Sequence, residues 1–340
     1  MNGKERIELA LQKKQPDCVG TFEWFIDESV GKAFTGSANP LDIVDFLDID
    51  GINIRADYTK EYLSEDTFID EWGAKRKLTG DCIAATVENP IKDISCHKDF
   101  AFPDTNASHR FSTLEKAVSR FEGRRAVILN LRDGFSDMLD LLGYEEALMQ
   151  FMIAPDMFTE LLNRSVDYNL EVARIARERF GTDIIATTDD VANAAGLLMR
   201  PEQYFEIIGP AFNRVMQGYK DLGYFIIKHC DGDISDVIDF WVDSGIDCLD
   251  PIDPGAGMRL DKMREKYGDR ICLKGNIDCK GALCSGTAEE VENEVKDAID
   301  QAGKRGYILS SSNTIHRGVI PKNYKAMLEA LRRYGKAEME

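Results

Sequence analysis

The chain has 340 residues and a formal net charge of −18, from 42 basic and 60 acidic side chains. A diffuse acidic surface disfavours nucleic acid and anionic membranes as partners. No apolar run approaches the roughly 20 residues that a membrane-spanning helix needs. The charged, amphipathic N-terminus does not resemble a signal peptide, so we expect a cytoplasmic protein. Its eight cysteines form no CxxC pair, and we expect them to be reduced thiols.

Apolar, β-branched runs that end in polar residues recur along the chain and predict eight strands. In chain order they are residues 18–24, 50–55, 125–132, 183–190, 225–231, 247–253, 271–278 and 306–313. Because buried strands that alternate with helices form parallel sheets, we predict an α/β fold, a (β/α)8 TIM barrel. A doubly wound open sheet is the alternative, but no glycine-rich nucleotide loop follows the first strand. We expect residues 1–340 to form a single barrel domain.

Residues 56–124 form a long connection between the second and third strands. Connections in compact domains are usually much shorter, and this one includes the polar stretch FPDTNASHRF at 102–111. We therefore expect an insertion between strands two and three, with extra helices or a lid. His97 and His109 lie in this polar sequence, and we expect both to be solvated.

The later helices carry clear start and stop signals. Pro201 opens a helical segment that Pro210 should kink or divide, because proline removes a backbone donor. Thr287 and Glu290 form a capping box at the start of another helix, and Gly303 is expected to end it.

Active sites of parallel barrels lie at the C-terminal ends of the strands. Fourteen polar residues at or just beyond these ends are our candidates, and seven of them are acidic. They are Glu23, Arg55, Arg132, Asp189, Asp190, His229, Cys230, Asp231, Asp250, Asp253, Asn276, Asp278, Asn313 and His316. A ring of carboxylates with one or two histidines suits a cation, a metal or proton transfer.

His229 and Asp231 are two residues apart on a predicted strand, so their side chains should leave the same face. Such a pair can supply two ligands to a metal with N/O preference, Zn²⁺ among them. The alternative is a histidine that a carboxylate supports and that binds substrate or holds the loop. Cys230 points the other way and is the lower-ranked alternative ligand.

Asp189 and Asp190 end another strand. Adjacent side chains diverge on a strand, so only one should face the barrel mouth, and we favour Asp190. Helix capping or an ion pair is the alternative role. Glu23 lies between apolar residues, where an unpaired carboxylate is costly, so we expect a partner or a raised pKa.

Two further pairs, each with two interpretations, and one segment supply the remaining candidates. Arg55 and Arg132 could clamp a carboxylate or phosphate, or could pair with acids of the ring. Asn276 and Asp278 could contact substrate or shape a turn. In SSSNTIH, residues 310–316, His316 is the ionisable group able to carry a proton near neutral pH.

Four stretches carry a resemblance to a known family. HCDGDI, GIDCLDPIDP, GDRICLKGNID and GYILSSSNTIHRGVIPKNYKAMLEALRRYG resemble the C-terminal half of the uroporphyrinogen decarboxylase superfamily. This superfamily includes the decarboxylase of tetrapyrrole synthesis and zinc-dependent methyltransferases that exchange methyl groups with a corrinoid protein. The decarboxylases resemble each other in an arginine-containing loop after the first strand, whereas here no arginine occurs between Arg6 and Arg55. The chain therefore looks closer to the corrinoid-dependent methyltransferase branch.

The resemblance also implies a ligand set. The methyltransferases carry His-x-Cys after strand five and a further Cys after strand eight, which bind zinc. Here His229 matches the histidine, Asp231 takes the place of the first cysteine, and Asn313 takes the place of the second. We expect His229 and Asp231 to hold zinc, with Glu23 as a further ligand. An oxygen-rich site is harder than a thiolate site and polarises oxygen better.

These implications give a functional hypothesis. The chain would demethylate a small methylated compound, such as a methoxylated aromatic, onto the cobalamin of a separate corrinoid protein. The predicted catalytic residues are Asp190, His316 and Asn313, and the predicted substrate-binding residues are Arg55, Trp24, Tyr58, Asn276 and Asp278. The alternative is a metal-free, carboxylate-based lyase or decarboxylase of the same fold, including uroporphyrinogen decarboxylase. Barrels of this kind often dimerise, so a homodimer is a further expectation.

Overall fold

The structure is a computed structural model that describes residues 1–80 and 84–337. Eight parallel strands, β1 to β8, form the central sheet in the order β1-β8-β7-β6-β5-β4-β3-β2. They are Gly20–Thr21, Gly51–Arg55, Ala126–Leu131, Ile184–Thr188, Phe225–His229, Cys248–Asp250, Cys272–Ile277 and Tyr307–Ser311. All eight predicted strands are present, and the (β/α)8 barrel is confirmed.

The sheet closes between β1 and β2. The backbone N–H of Asp50 donates to the carbonyl of Thr21 (2.9 Å), and the Thr21 N–H donates to Asp50 Oδ2 (2.9 Å). Every residue of β4 and β8 is buried. Strands covered on both sides need apolar residues at consecutive positions, which is the pattern that the sequence shows.

Helices surround the barrel. They are Gly3–Leu11, Glu28–Thr35, Pro40–Leu47, Ser112–Phe121, Phe135–Leu142, Tyr144–Ile153, Pro155–Phe180, Pro201–Gln203, Gly209–Asp221, Ile238–Asp243, Leu260–Tyr267, Ala282–Ser285, Ala288–Ala302 and Pro321–Tyr334, with 3₁₀ turns at Ile94–Cys96 and Pro254–Ala256. The capping box of Thr287 and Glu290 is formed, and Gly303 ends that helix. Within the described residues, no helix is both long and apolar enough to cross a membrane.

The helical segment that begins at Pro201 is divided close to Pro210, as the sequence predicts. A π-helical turn, Tyr204–Ile208, separates Pro201–Gln203 from Gly209–Asp221. The Gly209 N–H reaches back to the Tyr204 carbonyl. Pro210 follows directly and has no N–H to continue the regular ladder, so the altered register is confined to this turn.

The insertion after β2 is mainly an antiparallel sheet. Its four strands are Lys60–Tyr62, Thr67–Asp70, Lys75–Lys77 and Ala85–Glu88. Among the residues of the insertion that the structure describes, the expected extra helices are limited to the turn Ile94–Cys96 and the helix Ser112–Phe121. Arg110, which is 1% exposed, ties the sheet to the barrel: its guanidinium donates twice to Glu71 (3.0 and 2.6 Å) and once to the Asp57 carbonyl (2.9 Å).

Two expectations about reactive side chains have different outcomes. The seven cysteines in the described part of the chain are free, as predicted; Cys82 lies outside the described residues. The prediction that His97 is solvated is wrong. Its ring is 3% exposed, and its nitrogens contact the Ile94 carbonyl (2.8 Å) and Glu160 (2.9 Å). These two contacts hold the ring between the insertion and the helix Pro155–Phe180.

Candidate functional site

A chain of buried polar contacts positions His229 at the end of β5. His229 lies opposite Asp250 in the β5–β6 register, and its Nδ1 donates to Asp250 Oδ2 (2.6 Å). Lys274 Nζ, on β7, donates to Asp250 Oδ1 (2.7 Å) and to the Ser310 hydroxyl on β8 (2.9 Å). This arrangement fixes the imidazole tautomer and leaves Nε2 directed away from Asp250.

Asp190 and Asp231 lie beside the free nitrogen of His229. One ligand atom from each of Asp190, His229 and Asp231 lies within 4.8 Å of the other two; we call these residues the triad. His229 Nε2 is 3.6 Å from Asp231 Oδ1, and the Asp231 backbone N–H donates to Asp190 Oδ1 (3.1 Å). Asn313 donates to Asp231 Oδ2. The ends of β4 and β5 and the loop after β8 thus meet at one point.

The electrostatics of the triad favour a bound cation. Burial raises the pKa of Asp231 to about 6, against the attraction of His229 and with the repulsion of Asp190. Burial alone would lower the pKa of His229, but the charges of Asp250, Asp231 and Asp190 outweigh it and raise the pKa. A cation between the carboxylates would relieve this repulsion.

The residues fit a divalent metal of N/O preference. They offer one imidazole nitrogen and two carboxylates, a donor set that zinc accepts. Asp231 Oδ1 is buried and has no hydrogen-bond donor among the described residues, which is the state expected of a ligand atom. The indole of Trp24 stacks on the imidazole with a centroid distance of 4.2 Å and an interplanar angle of 18°. It covers one side of the site.

The structure rearranges the predicted ligand set. Asp190, predicted as a catalytic residue, joins His229 and Asp231, whereas Glu23, predicted as a ligand, lies outside this group. The Ser311 hydroxyl and backbone N–H donate to Glu23 Oε2 (2.6 and 3.1 Å). Burial raises the pKa of Glu23 to about 7, and the charge of Lys274 opposes that rise. Both consequences expected of a carboxylate in an apolar setting, a partner and a raised pKa, are therefore found.

Cys230, the lower-ranked alternative ligand, is a buried thiol. Its Sγ donates to the Asp231 carbonyl (3.3 Å), and burial raises its pKa well above the ordinary value. Cys230 is not among the three residues whose ligand atoms lie within 4.8 Å of one another.

Asp189 has the structural role that was the alternative for this pair. Its carboxylate accepts from the backbone N–H groups of Phe135 (2.5 Å) and Ser136 (2.9 Å), at the start of the helix Phe135–Leu142. Lys228, 1% exposed, pairs with Asp133 beneath the triad (2.6 Å). The two residues of the Asp189-Asp190 pair thus divide between a helix start and the triad.

Three predicted site residues have local partners instead. His316 Nε2 donates to the Cys279 carbonyl (3.0 Å), and its Nδ1 accepts from the Gly318 N–H (3.1 Å). Asn276 donates to the Ile252 carbonyl (3.0 Å), and Asp278 accepts from the Lys280 N–H (2.8 Å) in a turn. These contacts match the structural alternative for Asn276 and Asp278.

Arg55 and Tyr58 line a separate cavity of about 330 Å³ between the insertion sheet and the ends of β2 and β3. Aromatic side chains of the insertion and of the helix Pro155–Phe180 form part of its wall, among them Trp72 and Tyr168. Arg132, just after β3, also faces this cavity and pairs with Asp140 (3.2 Å). The two arginines therefore differ: Arg132 pairs with an acid, which was the alternative role predicted for it.

The sequence model of the family described as "Uroporphyrinogen decarboxylase (URO-D)" matches residues 73–334, which is more than half of the chain. The chain belongs to the URO-D family. The predicted family is thereby confirmed, together with the fold that it implies.

Curated relatives of this URO-D protein have two different activities in their names. A uroporphyrinogen decarboxylase from Chlorobium luteolum is 27% identical over 163 residues, 45% of this chain and 43% of that protein. A methylated-thiol–coenzyme M methyltransferase from Methanosarcina mazei is 22% identical over 217 residues, 64% of this chain and 56% of that protein. The chain spans about half the length of the curated relatives it matches.

A solved methyltransferase from Methanosarcina mazei superposes with a TM-score of 0.78. The superposition covers 98% of this chain and 99% of that one, at 18% sequence identity. At this identity the likeness shows the URO-D barrel and not the reaction.

Proposed function

We propose that this URO-D protein is a metal-dependent methyltransferase. It would move a methyl group from a small methylated donor to the cobalamin of a separate corrinoid protein. The observation that carries the proposal is the triad, which combines an imidazole nitrogen with two carboxylates at the barrel mouth. Close carboxylates also suit the proton transfer of a metal-free lyase, but the buried Asp231 Oδ1, which has no hydrogen-bond donor among the described residues, favours a metal ligand.

Five residues of the chain have defined tasks in this proposal. Asp190, His229 and Asp231 would hold the metal. Asp250 is a positioning residue, because its bond to Nδ1 (2.6 Å) directs Nε2 of His229 toward the site. Asn313 orients Asp231 through its amide. A bound divalent cation would supply Lewis acidity toward an oxygen of the donor.

The donor set suggests the class of methyl donor. Where the methyltransferase branch carries a cysteine after strand five, this chain carries Asp231, and the thiol of Cys230 donates to the Asp231 carbonyl. A site with nitrogen and oxygen ligands is harder than a thiolate site and prefers oxygen in the substrate. This supports an ether oxygen, as in a methoxylated aromatic, over the sulfur named in the Methanosarcina mazei relative.

The first test is the zinc content of chelator-free protein. We expect about one zinc per chain in the wild type and none in His229→Ala. His109→Ala is the matched control, because it also removes one histidine, but from a half-buried contact with Glu71 (3.1 Å) in the insertion. Zinc lost equally from both variants, or bound by neither the wild type nor the control, would contradict the proposal and favour the metal-free lyase.

The second test is methyl transfer itself. Wild type, His229→Ala and His109→Ala are mixed with a methoxylated aromatic, reduced corrinoid protein and zinc, and the change in the cobalamin absorbance is followed. Only His229→Ala should lose the reaction. Conversion of uroporphyrinogen by the wild type would instead assign the chain to decarboxylation.

A further inference from the structure

We infer that the cavity between the insertion sheet and strands β2 and β3 binds an aromatic carboxylate, with Arg55 as the anchor of the acid group. This inference rests on the proposed function, because it names the methyl donor as a one-ring aromatic acid.

The cationic side chains of the cavity differ in their partners. Arg132 pairs with Asp140 (3.2 Å), and Arg110 forms a two-bond contact with Glu71. Arg55 has no ion pair and no side-chain hydrogen bond among the residues that the structure describes. A guanidinium that faces a cavity without an anion is available to a ligand with one.

The surroundings of Arg55 favour an incoming negative charge. Its side chain is exposed to the cavity; the surrounding protein atoms and the like charge of Arg132 lower its pKa to about 10, and the charge of Asp140 acts against this shift. An anion that entered the cavity would offset the repulsion between Arg55 and Arg132. The protein carries a net charge of −18, so a cavity with an unpaired cation is a local exception that selects anions.

A second donor lies beside Arg55. Arg55 and Asn130 are directly opposite in the β2–β3 register, and both line the cavity. Asn130 Nδ2 is buried and has no hydrogen-bond acceptor among the described residues. A buried donor without an acceptor is costly unless a ligand supplies one, and a carboxylate has two oxygens for two donors.

The walls and the volume indicate an aromatic ligand with one ring. Tyr58, Trp72 and Tyr168 line the cavity, and the rings of Trp72 and Tyr168 meet edge to face at 4.8 Å. Such surfaces accept another ring by stacking or edge contact. At about 330 Å³, the cavity is at the lower end of the roughly 300–1,000 Å³ typical of ligand pockets, which favours one ring over a tetrapyrrole.

Arg132 connects the cavity with the triad electrostatically. Burial works against its charge, but the carboxylates of Asp140, Asp137, Asp189 and Asp190 together raise its pKa. Asp140 and Asp137 line the cavity, and Asp190 belongs to the triad. Arg55 ends β2, Arg132 follows β3 and Asp190 follows β4, so the cavity lies on the same side of the barrel as the triad.

Calorimetric titration with 4-methoxybenzoate and its neutral analogue 4-methoxybenzamide tests the inference. Wild type should bind the acid at least about ten-fold more tightly than the amide, and Arg55→Gln should lose about ten- to a hundred-fold in affinity for the acid alone. Arg259→Gln is the control, because Arg259 is an exposed arginine whose partner is Asp261 (2.7 Å); it should bind the acid as the wild type does. Because Arg55 has no protein partner, its variant should unfold at the wild-type temperature.

Two results would overturn the inference: equal binding of acid and amide to the wild type, or acid binding that survives in Arg55→Gln. Absence of any acid binding to the wild type would overturn it as well. The titration of His229→Ala separates this inference from the proposed function. Acid binding retained there, in a protein that holds no zinc and transfers no methyl group, would support the cavity even if the metal proposal failed.

Discussion

Replacing Glu23 by Gln tests how the barrel tolerates a buried carboxyl group near its mouth. The substitution keeps the side-chain shape and one acceptor oxygen for Ser311, but removes the ability to ionise. Glu23 is 5% exposed, and its titration is also influenced by Lys274, Asp250 and Tyr324. The variant therefore isolates the free energy of holding one negative charge in this position.

The magnitude follows from the raised pKa of Glu23. Its pKa rises from 4.5 to about 7 in the folded chain, so the fold binds this proton more tightly than the unfolded chain does. The resulting stability is fully present below pH 4.5 and is lost as the pH rises to 7. Each pKa unit corresponds to about 1.4 kcal/mol, so ionised Glu23 costs about 3 kcal/mol above pH 7.

Urea unfolding of chelator-treated wild type and Glu23→Gln at pH 5 and pH 8 measures this cost. We expect the free energy of unfolding of Glu23→Gln, relative to that of the wild type, to be about 2 to 3 kcal/mol higher at pH 8 than at pH 5. The reason is that only the wild type acquires the buried charge. A stability difference that is the same at both pH values would refute the burial argument. Zinc binding provides the second readout: Glu23 lies outside the triad, so the variant should retain zinc, and its loss would restore Glu23 as a ligand.

Three further substitutions separate positioning from stability. Asp250→Asn removes no metal ligand but weakens the orientation of His229, so zinc affinity measured against a chromogenic chelator should fall about 10- to 100-fold; an unchanged affinity would exclude the positioning role. Thr287→Ala breaks the capping box and should lower the free energy of unfolding by about 1 kcal/mol, with zinc binding unchanged. A changed zinc affinity would show that Thr287 is not remote from the site. Leu309→Ala opens a cavity in a fully buried strand position and should cost about 2 to 5 kcal/mol in urea unfolding; a smaller loss would mean that the barrel core collapses around the gap.

The barrel was predictable because its signals are local. Each strand is a short apolar run, and the division of the helix at Pro210 follows from one missing N–H. Two strands of the insertion sheet have no such signal: every residue of Lys60–Tyr62 and Ala85–Glu88 is exposed, so no apolar run marks them. Polar strands paired only with each other do not differ from loops in a single sequence.

Within the site, the alternation of side chains along a strand predicted which residues face the mouth, but not which ones meet there. It placed His229 and Asp231 on one face, and the structure brings a ligand atom of each within 4.8 Å of one from Asp190. Glu23 went elsewhere because β1 pairs with β8, which brings Ser311 to its carboxylate. Asp250 was a candidate, but its pairing with Lys274 was not predicted for the same reason: their contact of 2.7 Å joins neighbouring strands, and register across strands is not a property of either segment alone.

The two ends of the proposed site have opposite charge, and this constrains the substrate more than either end does alone. The triad brings two carboxylates together, so it repels acid groups and attracts a cation or a polarisable oxygen. The cavity presents Arg55 without an anion of its own and therefore attracts an acid group. A polyacid such as uroporphyrinogen would place carboxylates against Asp190 and Asp231 as well as against Arg55. A molecule with one carboxylate and, at its opposite end, one methoxy group would satisfy both ends, because the acid pairs with Arg55 while the ether oxygen faces the metal ligands.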